Sequence, residues 1–330
     1  QMDDTRLCLS VLQSAKKLGV KVFNYTEVVS LIKHGKKVCG VRVKEVANGN
    51  EYDVEGGVII NAAGAWSDTI CQMEGTPAQR HVRPTKGIHI VLPKMTERHG
   101  IVLSSQRDGR VFFVLPWKEH SLVGTTDTDY SGDPDQVVAS PQEIQSLLSD
   151  TAPFFPSAPS EKVLASFAGL RPLAYASAHH PSDRSRKEKI EWTKEKMLVV
   201  VGGKLTLFRK MAIRVLDAVI KQHPSLPVLK RPDPEPPIYG GEMSSLKEFI
   251  RQEISRKNIP VSQEILQYLI CRYGTHYEAV IECGKEPEHL KPLTPSGYPL
   301  PAEVIYAAQD ESVLHLSDFM LRRTRLAHGP

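Results

Sequence analysis

The sequence predicts a mixed α/β protein with a strand-rich middle and a helical C-terminal end. Three observations carry that reading. Short apolar runs end in small residues or glycines and then open onto helix-like spacing, at residues 58–73 and again at 197–220. Residues 82–130 consist of β-type runs separated by turns. Beyond a stretch at 224–241 that holds six prolines, the apolar residues recur at helical spacing.

The elements follow in order. Asp3 or Asp4 is placed to cap a first helix, in which Leu7, Val11, Leu12, Ala15 and Leu18 form one apolar face and Gly19 a stop. A strand is expected at 20–25, with further strands at 28–32 and 38–43 around a His34-Gly35-Lys36 turn. Asn48-Gly49 is a hairpin signal. A short run at 58–60 ends in Asn61-Ala62-Ala63-Gly64, followed by a helix at 66–73. Strands at 88–92, 111–115 and 121–124, with Asp108-Gly109 as a turn, make the strand-rich middle. A helix at 141–148, a proline-rich loop at 151–160 and a strand at 163–167 come next. A strand at 197–201, broken by Gly202-Gly203, precedes a helix at 206–220. Helices at 246–255, 264–273, 276–281, 302–314 and 317–326 complete the chain, with a domain boundary near 235.

Composition narrows the class. Hydrophobic residues at 41% and charged residues at 24% suit a soluble globular protein. With 42 basic and 38 acidic residues, the charge is too near balance to argue for nucleic acid. The five cysteines are odd in number and lack metal-ligand spacing, so a reducing, intracellular compartment and no metal are expected. No apolar run approaches the ~20 residues that span a bilayer. Surface attachment to a membrane stays compatible with all of this.

Two glycine junctions could carry chemistry. At Gly202-Gly203-Lys204-Leu205-Thr206 a strand passes through two glycines to a helix N-terminus, where free N–H groups and the dipole favour an anion and Lys204 adds a charge. An ordinary turn with a solvated lysine explains the same residues equally well. Asn61–Gly64 is open to the same two readings. Cations and imidazoles recur beside glycine kinks: Lys86 and His89 around Gly87, Arg171 after Gly169-Leu170, and Arg184 and Arg186 in a basic loop. Their convergence would make a phosphate or carboxylate clamp. Gly124-Thr125-Thr126-Asp127 reads as a cap and turn, and Arg322-Arg323-Thr324-Arg325 as a basic helix face.

Taken together, VIINAAGAW at 58–66, KGIHIV at 86–91, DGRVFFVLPW at 108–117, GTTD at 124–127, GLRPL at 169–173, GGKLTLFRKM at 202–211 and RRTRL at 322–326 resemble the FAD-dependent glycerol-3-phosphate dehydrogenases, a branch of the D-amino-acid-oxidase-like flavoproteins. The resemblance implies a three-layer FAD-binding domain, incomplete here, from residues 1–80 and 180–223. It implies an antiparallel substrate-capping sheet at 81–179, a linker at 224–241 and a C-terminal helical domain at 242–330.

It further implies oxidation of sn-glycerol 3-phosphate to dihydroxyacetone phosphate, with hydride passing to FAD and electrons then to quinone, or to oxygen in the oxidase branch. On the same basis Arg171, Lys204 and Arg186 bind the substrate phosphate or hydroxyls. His89 is the base or polariser of the substrate hydroxyl, so His89, Arg171 and Lys204 form the catalytic set. Asn61, Ala62, Ala63 and Gly64 line the dinucleotide; Gly202, Gly203, Lys204, Leu205 and Thr206 contact the isoalloxazine; Val28 meets the adenine side through its backbone. A cytoplasmic or peripheral membrane location is implied, on the mitochondrial inner membrane in a eukaryote, and a homodimer is compatible with it.

Two departures stand out. Leu207 replaces a threonine usual in the family. No G-x-G-x-x-G for the ADP pyrophosphate is present, since Gly35, Gly40 and Gly49 do not fit it. The chain is therefore expected to be a fragment or an incomplete gene model. Two alternatives remain beside the flavoenzyme: a non-catalytic remnant that keeps an anion pocket, and a related FAD amine or hydroxy-acid oxidase.

Overall fold

A computed structural model describes residues 3–75, 79–117, 119–156, 162–175, 187–227, 235–256, 258–295, 297–324 and 326–328. The chain divides into two compact units, residues 25–228 and residues 1–24 with 229–327. The first helix, α1 (Asp4–Lys17), is capped by Asp3, whose carboxylate accepts from the Arg6 N–H at 3.0 Å. Residues 1–24 pack with the C-terminal helices rather than with the sheets of residues 25–228. The expected strand at 20–25 does not form: residues 18–25 pair with no neighbouring strand, and Leu18, Val20 and Phe23 are exposed.

In the unit of residues 25–228, β1 (Thr26–His34), β2 (Lys37–Glu45) and β3 (Glu51–Glu55) form an antiparallel sheet in that order. Gly49 turns the β2–β3 hairpin at φ +77°, the left-handed conformation that the Asn-Gly signal anticipates. Next come β4 (Ile60–Asn61), a 3-10 turn at Gly64–Trp66 and α2 (Ser67–Gln72). The middle of the chain supplies β5 (Val82–Pro93), β6 (Ile101–Ser104), β7 (Val111–Trp117), β8 (His120–Gly124), β9 (Thr128–Asp129), α3 (Pro141–Thr151) and β10 (Ala165–Ala174). These strands build an antiparallel sheet in the order β10-β5-β8-β7-β6, with β9 also on β5. This is the antiparallel sheet that the motif resemblance implied.

One face of that sheet is closed by α3. Ile88, Ile90, Leu92, Phe112 and Val114 pack with Leu147 and Leu148 in a core from which water is excluded. Ser140 and Glu143 form a reciprocal capping box before Pro141, which explains why α3 starts where it does. Burial of this kind, at roughly 25 cal/mol per Å² of apolar surface, is the main stabilisation of the sheet.

β11 (Lys189–Trp192), β12 (Leu198–Val201) and β4 form a third sheet, in which β12 and β4 run parallel. β12 leads through Gly202-Gly203 into a 3-10 turn at Leu205–Leu207 and α4 (Phe208–Gln222). Met197, Val199 and Val201 join Val38, Cys71 and Val82 in a second core.

In the other unit, α5 (Leu246–Ser255), α6 (Gln263–Tyr273), α7 (Tyr277–Cys283) and α8 (Pro301–Gln309) surround Leu266, Leu269, Tyr277, Leu300 and Tyr306. α8 ends at Gln309, short of the expected 314, and the last expected helix is a π-type turn at Asp318–Arg323. The α1 helix is bound to this unit by an Arg6–Glu311 ion pair and by the Gln13 amide, which donates to the Asp310 carbonyl at 2.5 Å.

Candidate active site

The antiparallel sheet brings His89 and Arg171 onto one face. His89 lies on β5 opposite Phe167 of β10, and Arg171 lies opposite Thr85, so both strands present alternate residues to the same side. The His89 ring stacks on Phe167 with centroids 5.3 Å apart and planes 15° apart. Two glycines make room for these side chains. A Cβ at Gly124 would lie 2.3 Å from the His89 ring, and one at Gly87 would lie 2.4 Å from Arg171 Nη2. The cost of glycine inside a strand is thus tied to a close approach of functional groups.

Arg171 is aimed by the segment after β8. Its Nη2 donates to Thr125 Oγ1 at 2.9 Å and to the Thr126 carbonyl at 3.2 Å, and its Nη1 donates to Asp127 Oδ1 at 3.3 Å. The segment is itself pinned to β5, because the Ile88 N–H donates to Thr126 Oγ1 at 3.0 Å. GTTD therefore does more than cap and turn: it orients the guanidinium. The Arg171 side chain keeps 25% of its surface exposed, enough to meet an anion as well as Asp127. Burial pushes the His89 imidazole down to about 4, and the neighbouring Arg171 charge acts in the same direction. A neutral imidazole at neutral pH can accept a proton.

The two glycine junctions close against the end of the same β10. A Cβ at Gly64 would sit 3.9 Å from Pro172 Cγ, and one at Gly202 would sit 3.5 Å from the Ala174 nitrogen. Gly64, Gly202 and Gly203 adopt φ of +59°, +77° and +85°. At Gly202 a side chain would also come within 2.8 Å of the Lys187 carbonyl, and at Gly203 within 2.4 Å of Met211 Sδ. Only glycine fits both positions. Asn61 is buried; its amide donates to the Ser67 carbonyl at 2.9 Å and its oxygen accepts from the Ala63 N–H at 3.2 Å, which shapes the first loop. Ala62, Lys204, Leu205 and Thr206 are exposed, as is Leu207 at the position of the missing threonine. Val28 lies in the β1–β2 ladder opposite Val43, beside a register irregularity between Val28 and Ser30.

Lys204 lines a cavity of about 470 Å³ with Lys187, Glu188, Lys210 and Arg214, while Arg171 pairs with Asp127. Lys86 pairs with Glu143 at 2.8 Å and is drawn to α3. Arg184 and Arg186 lie outside the described residues. Sequence reasoning missed Phe167 as the partner of His89 and the roles of Thr125 and Asp127; the antiparallel pairing of β5 with both β10 and β8 is the signal that would have found them.

A parallel strand pair that opens on two glycine loops, set beside an antiparallel sheet carrying a neutral imidazole and a guanidinium, defines a two-part fold suited to a dinucleotide and a small anion. The chain belongs to the FAD dependent oxidoreductase family, whose model matches residues 1–203; residues 235–329 match the C-terminal domain of alpha-glycerophosphate oxidase. Among curated relatives, the aerobic glycerol-3-phosphate dehydrogenase of Staphylococcus haemolyticus is 29% identical over 337 residues, covering 98% of this chain and 60% of the relative. Glycerol-3-phosphate dehydrogenase 2 of Mycobacterium tuberculosis is 28% identical over 332 residues, covering 99% and 56%. The solved glycerol-3-phosphate dehydrogenase from Bacillus halodurans, complexed with FAD, superposes with a TM-score of 0.83 at 28% identity, over 99% of this chain and 65% of that one. The chain thus spans about 60% of the length of the first relative. The resemblance read from the motifs is borne out, as is the fold class.

Proposed function

We propose that this chain carries the substrate site and part of the FAD site of an enzyme that oxidises sn-glycerol 3-phosphate to dihydroxyacetone phosphate. The observation that carries the reading is the pairing of His89 and Arg171 over Gly87 and Gly124, next to two glycine loops of positive φ. The residues fit a dinucleotide, because Gly202 and Gly203, at φ of +77° and +85°, carry the parallel strand β12 through a glycine turn toward α4, a strand-to-helix junction whose free N–H groups suit a phosphate or an electron-rich ring. FAD would be held by Asn61–Gly64 and by Gly202–Thr206, and when bound it supplies the acceptor for the hydride.

The chain's own residues do the rest. Arg171 offers a planar, permanently charged donor set to the phosphate or hydroxyls of the substrate, while Asp127 and Thr125 keep it aimed. His89 Nδ1 or Nε2, neutral at pH 7, takes the proton from the substrate hydroxyl. Phe167 stacks on the imidazole and holds its plane. Lys204 and Arg186 are proposed as further phosphate contacts, Val28 as the adenine-side contact, and quinone as the electron acceptor at a membrane surface. No helix among the described residues is long and apolar enough to cross a membrane.

The test uses the full-length gene product supplied with FAD. It should hold flavin and reduce an electron-accepting dye only when glycerol 3-phosphate is added. Arg171→Met should raise KM for glycerol 3-phosphate about tenfold or more, the loss expected for a charge-assisted hydrogen bond, and should affect glycerol far less. A colourless, inactive protein would overturn the proposal in favour of a non-catalytic anion-binding remnant. Equal effects on glycerol and its phosphate would overturn the role of Arg171.

A further inference from the structure

Arg110 lies at the end of the β6–β7 hairpin, outside the site just described. Its Nη1 donates to the Thr125 carbonyl, and its Nη2 donates to Asp150 Oδ2 at 2.7 Å. Asp150 sits in the last turn of α3 with 1% of its side chain exposed. Its other oxygen accepts from Ser105 Oγ at 2.9 Å and from Arg107 Nε at 2.8 Å. Burial pushes the Asp150 carboxyl up, but donation by Arg107 and Ser105 and the charges of Arg107 and Arg110 outweigh it, so the group is held below the usual carboxylate range.

A buried carboxylate with this many donors is costly to assemble, and it is retained only where every partner is in place. Ser105 and Arg107 already tie the hairpin to α3. Arg110 adds a contact they do not: it reaches past Asp150 to the backbone of the residue whose hydroxyl holds Arg171. Residues 125–127 belong to no regular strand, so their carbonyls have no ladder to fix them. We propose that Arg110, locked by Asp150, is a positioning residue that fixes the Thr125 peptide and thereby aims Arg171 at the anionic end of the substrate. The inference rests on the proposed function of Arg171 and deepens it. It connects α3 and the hairpin, elements that touch no substrate, to substrate affinity.

The experiment compares Arg110→Met, Arg110→Lys and Arg171→Met in the full-length gene product supplied with FAD. Arg110→Met is expected to raise KM for glycerol 3-phosphate by about 10-fold, as for a displaced charge-assisted hydrogen bond, and to raise KM more than it lowers kcat. Arg110→Lys keeps the charge and one donor and should recover part of that loss. A second readout needs no turnover: the His89 imidazole resonance, followed by NMR, should titrate at higher pH in Arg110→Met than in the parent, in the direction that Arg171→Met moves it. If Arg171→Met weakens phosphate-dependent affinity while both Arg110 variants leave KM and the His89 midpoint unchanged, the positioning role is overturned, whatever happens to Tm. If Arg171→Met itself has no effect, the fault lies with the functional reading instead. Should Arg110→Met fail to fold, an unaltered KM in Arg110→Lys overturns the inference and a raised one supports it.

Discussion

Gly87→Ala separates function from stability at this site. The new Cβ would lie 2.4 Å from Arg171 Nη2, 2.7 Å from Nη1 and 2.5 Å from Thr125 Oγ1. Two of the three obstructed atoms are the far end of a long, flexible side chain, so Arg171 can swing out toward solvent; the third, Thr125 Oγ1, has to turn about its Cα–Cβ bond. Gly87 lies inside β5 and carries no positive φ, so alanine adds no backbone strain. The fold should therefore lose about 1 kcal/mol, the low end of overpacking. The site should suffer more, because Arg171 leaves Thr125 and Asp127 and no longer faces the anion. A charge-assisted hydrogen bond is worth roughly 1.5–3 kcal/mol, which is about 10- to 150-fold in Kd. Isothermal titration of glycerol 3-phosphate into the variant, with a thermal melt beside it, reads both quantities. Unchanged affinity with a folded protein would refute the placement of Arg171 over Gly87 in the anion site. Gly124→Ala makes the contrast. Its Cβ would meet the His89 ring, which is stacked on Phe167 and cannot retreat, so overpacking of about 1–3 kcal/mol is expected in the melt.

Further outcomes follow from the same geometry. His89 titrates at about 4 in the folded protein and near 6.5 when unfolded, so between those values the unfolded chain binds the extra proton. Stability should fall by about 3 kcal/mol as pH drops through that window, and His89→Phe should remove most of the slope in urea unfolding at two pH values. Gly203→Ala combines a φ of +85° with a contact 2.4 Å from Met211 Sδ; a loss of about 1–3 kcal/mol in stability and weaker flavin retention are expected, read by melting and absorbance. Asp150→Asn leaves Arg107 and Arg110 without their shared carboxylate and should cost about 3–5 kcal/mol in chemical denaturation.

Local signals in the sequence carried over well where the cause is local. Asp3 caps α1, Gly49 turns its hairpin, and Ser140, Pro141 and Glu143 start α3, because each acts within three residues of itself. The strand expected at 20–25 failed for the opposite reason: its apolar residues satisfy a strand pattern, but a ladder needs a neighbour, and the described residues place none beside it. The site divides the same way. His89, Arg171 and the glycine loops were named as candidates from short motifs and the resemblance they carry, and the structure sets His89 and Arg171 on one face of one sheet. The reach of Asp127 and Thr125 to Arg171, across more than forty residues, was not. Nor was the turn of Lys86 toward α3, where Glu143 holds it at 2.8 Å. Such contacts depend on strand register, which no single segment encodes.

The central claim is that the site presented by His89, Arg171 and the two glycine loops delivers glycerol 3-phosphate to a flavin. Its most direct test is anaerobic addition of glycerol 3-phosphate to the FAD-loaded, full-length gene product while the visible flavin absorbance is recorded. The account predicts that the yellow colour bleaches with glycerol 3-phosphate, persists with glycerol at the same concentration, and persists with either compound in His89→Phe. A flavin that stays oxidised in the presence of glycerol 3-phosphate would contradict it.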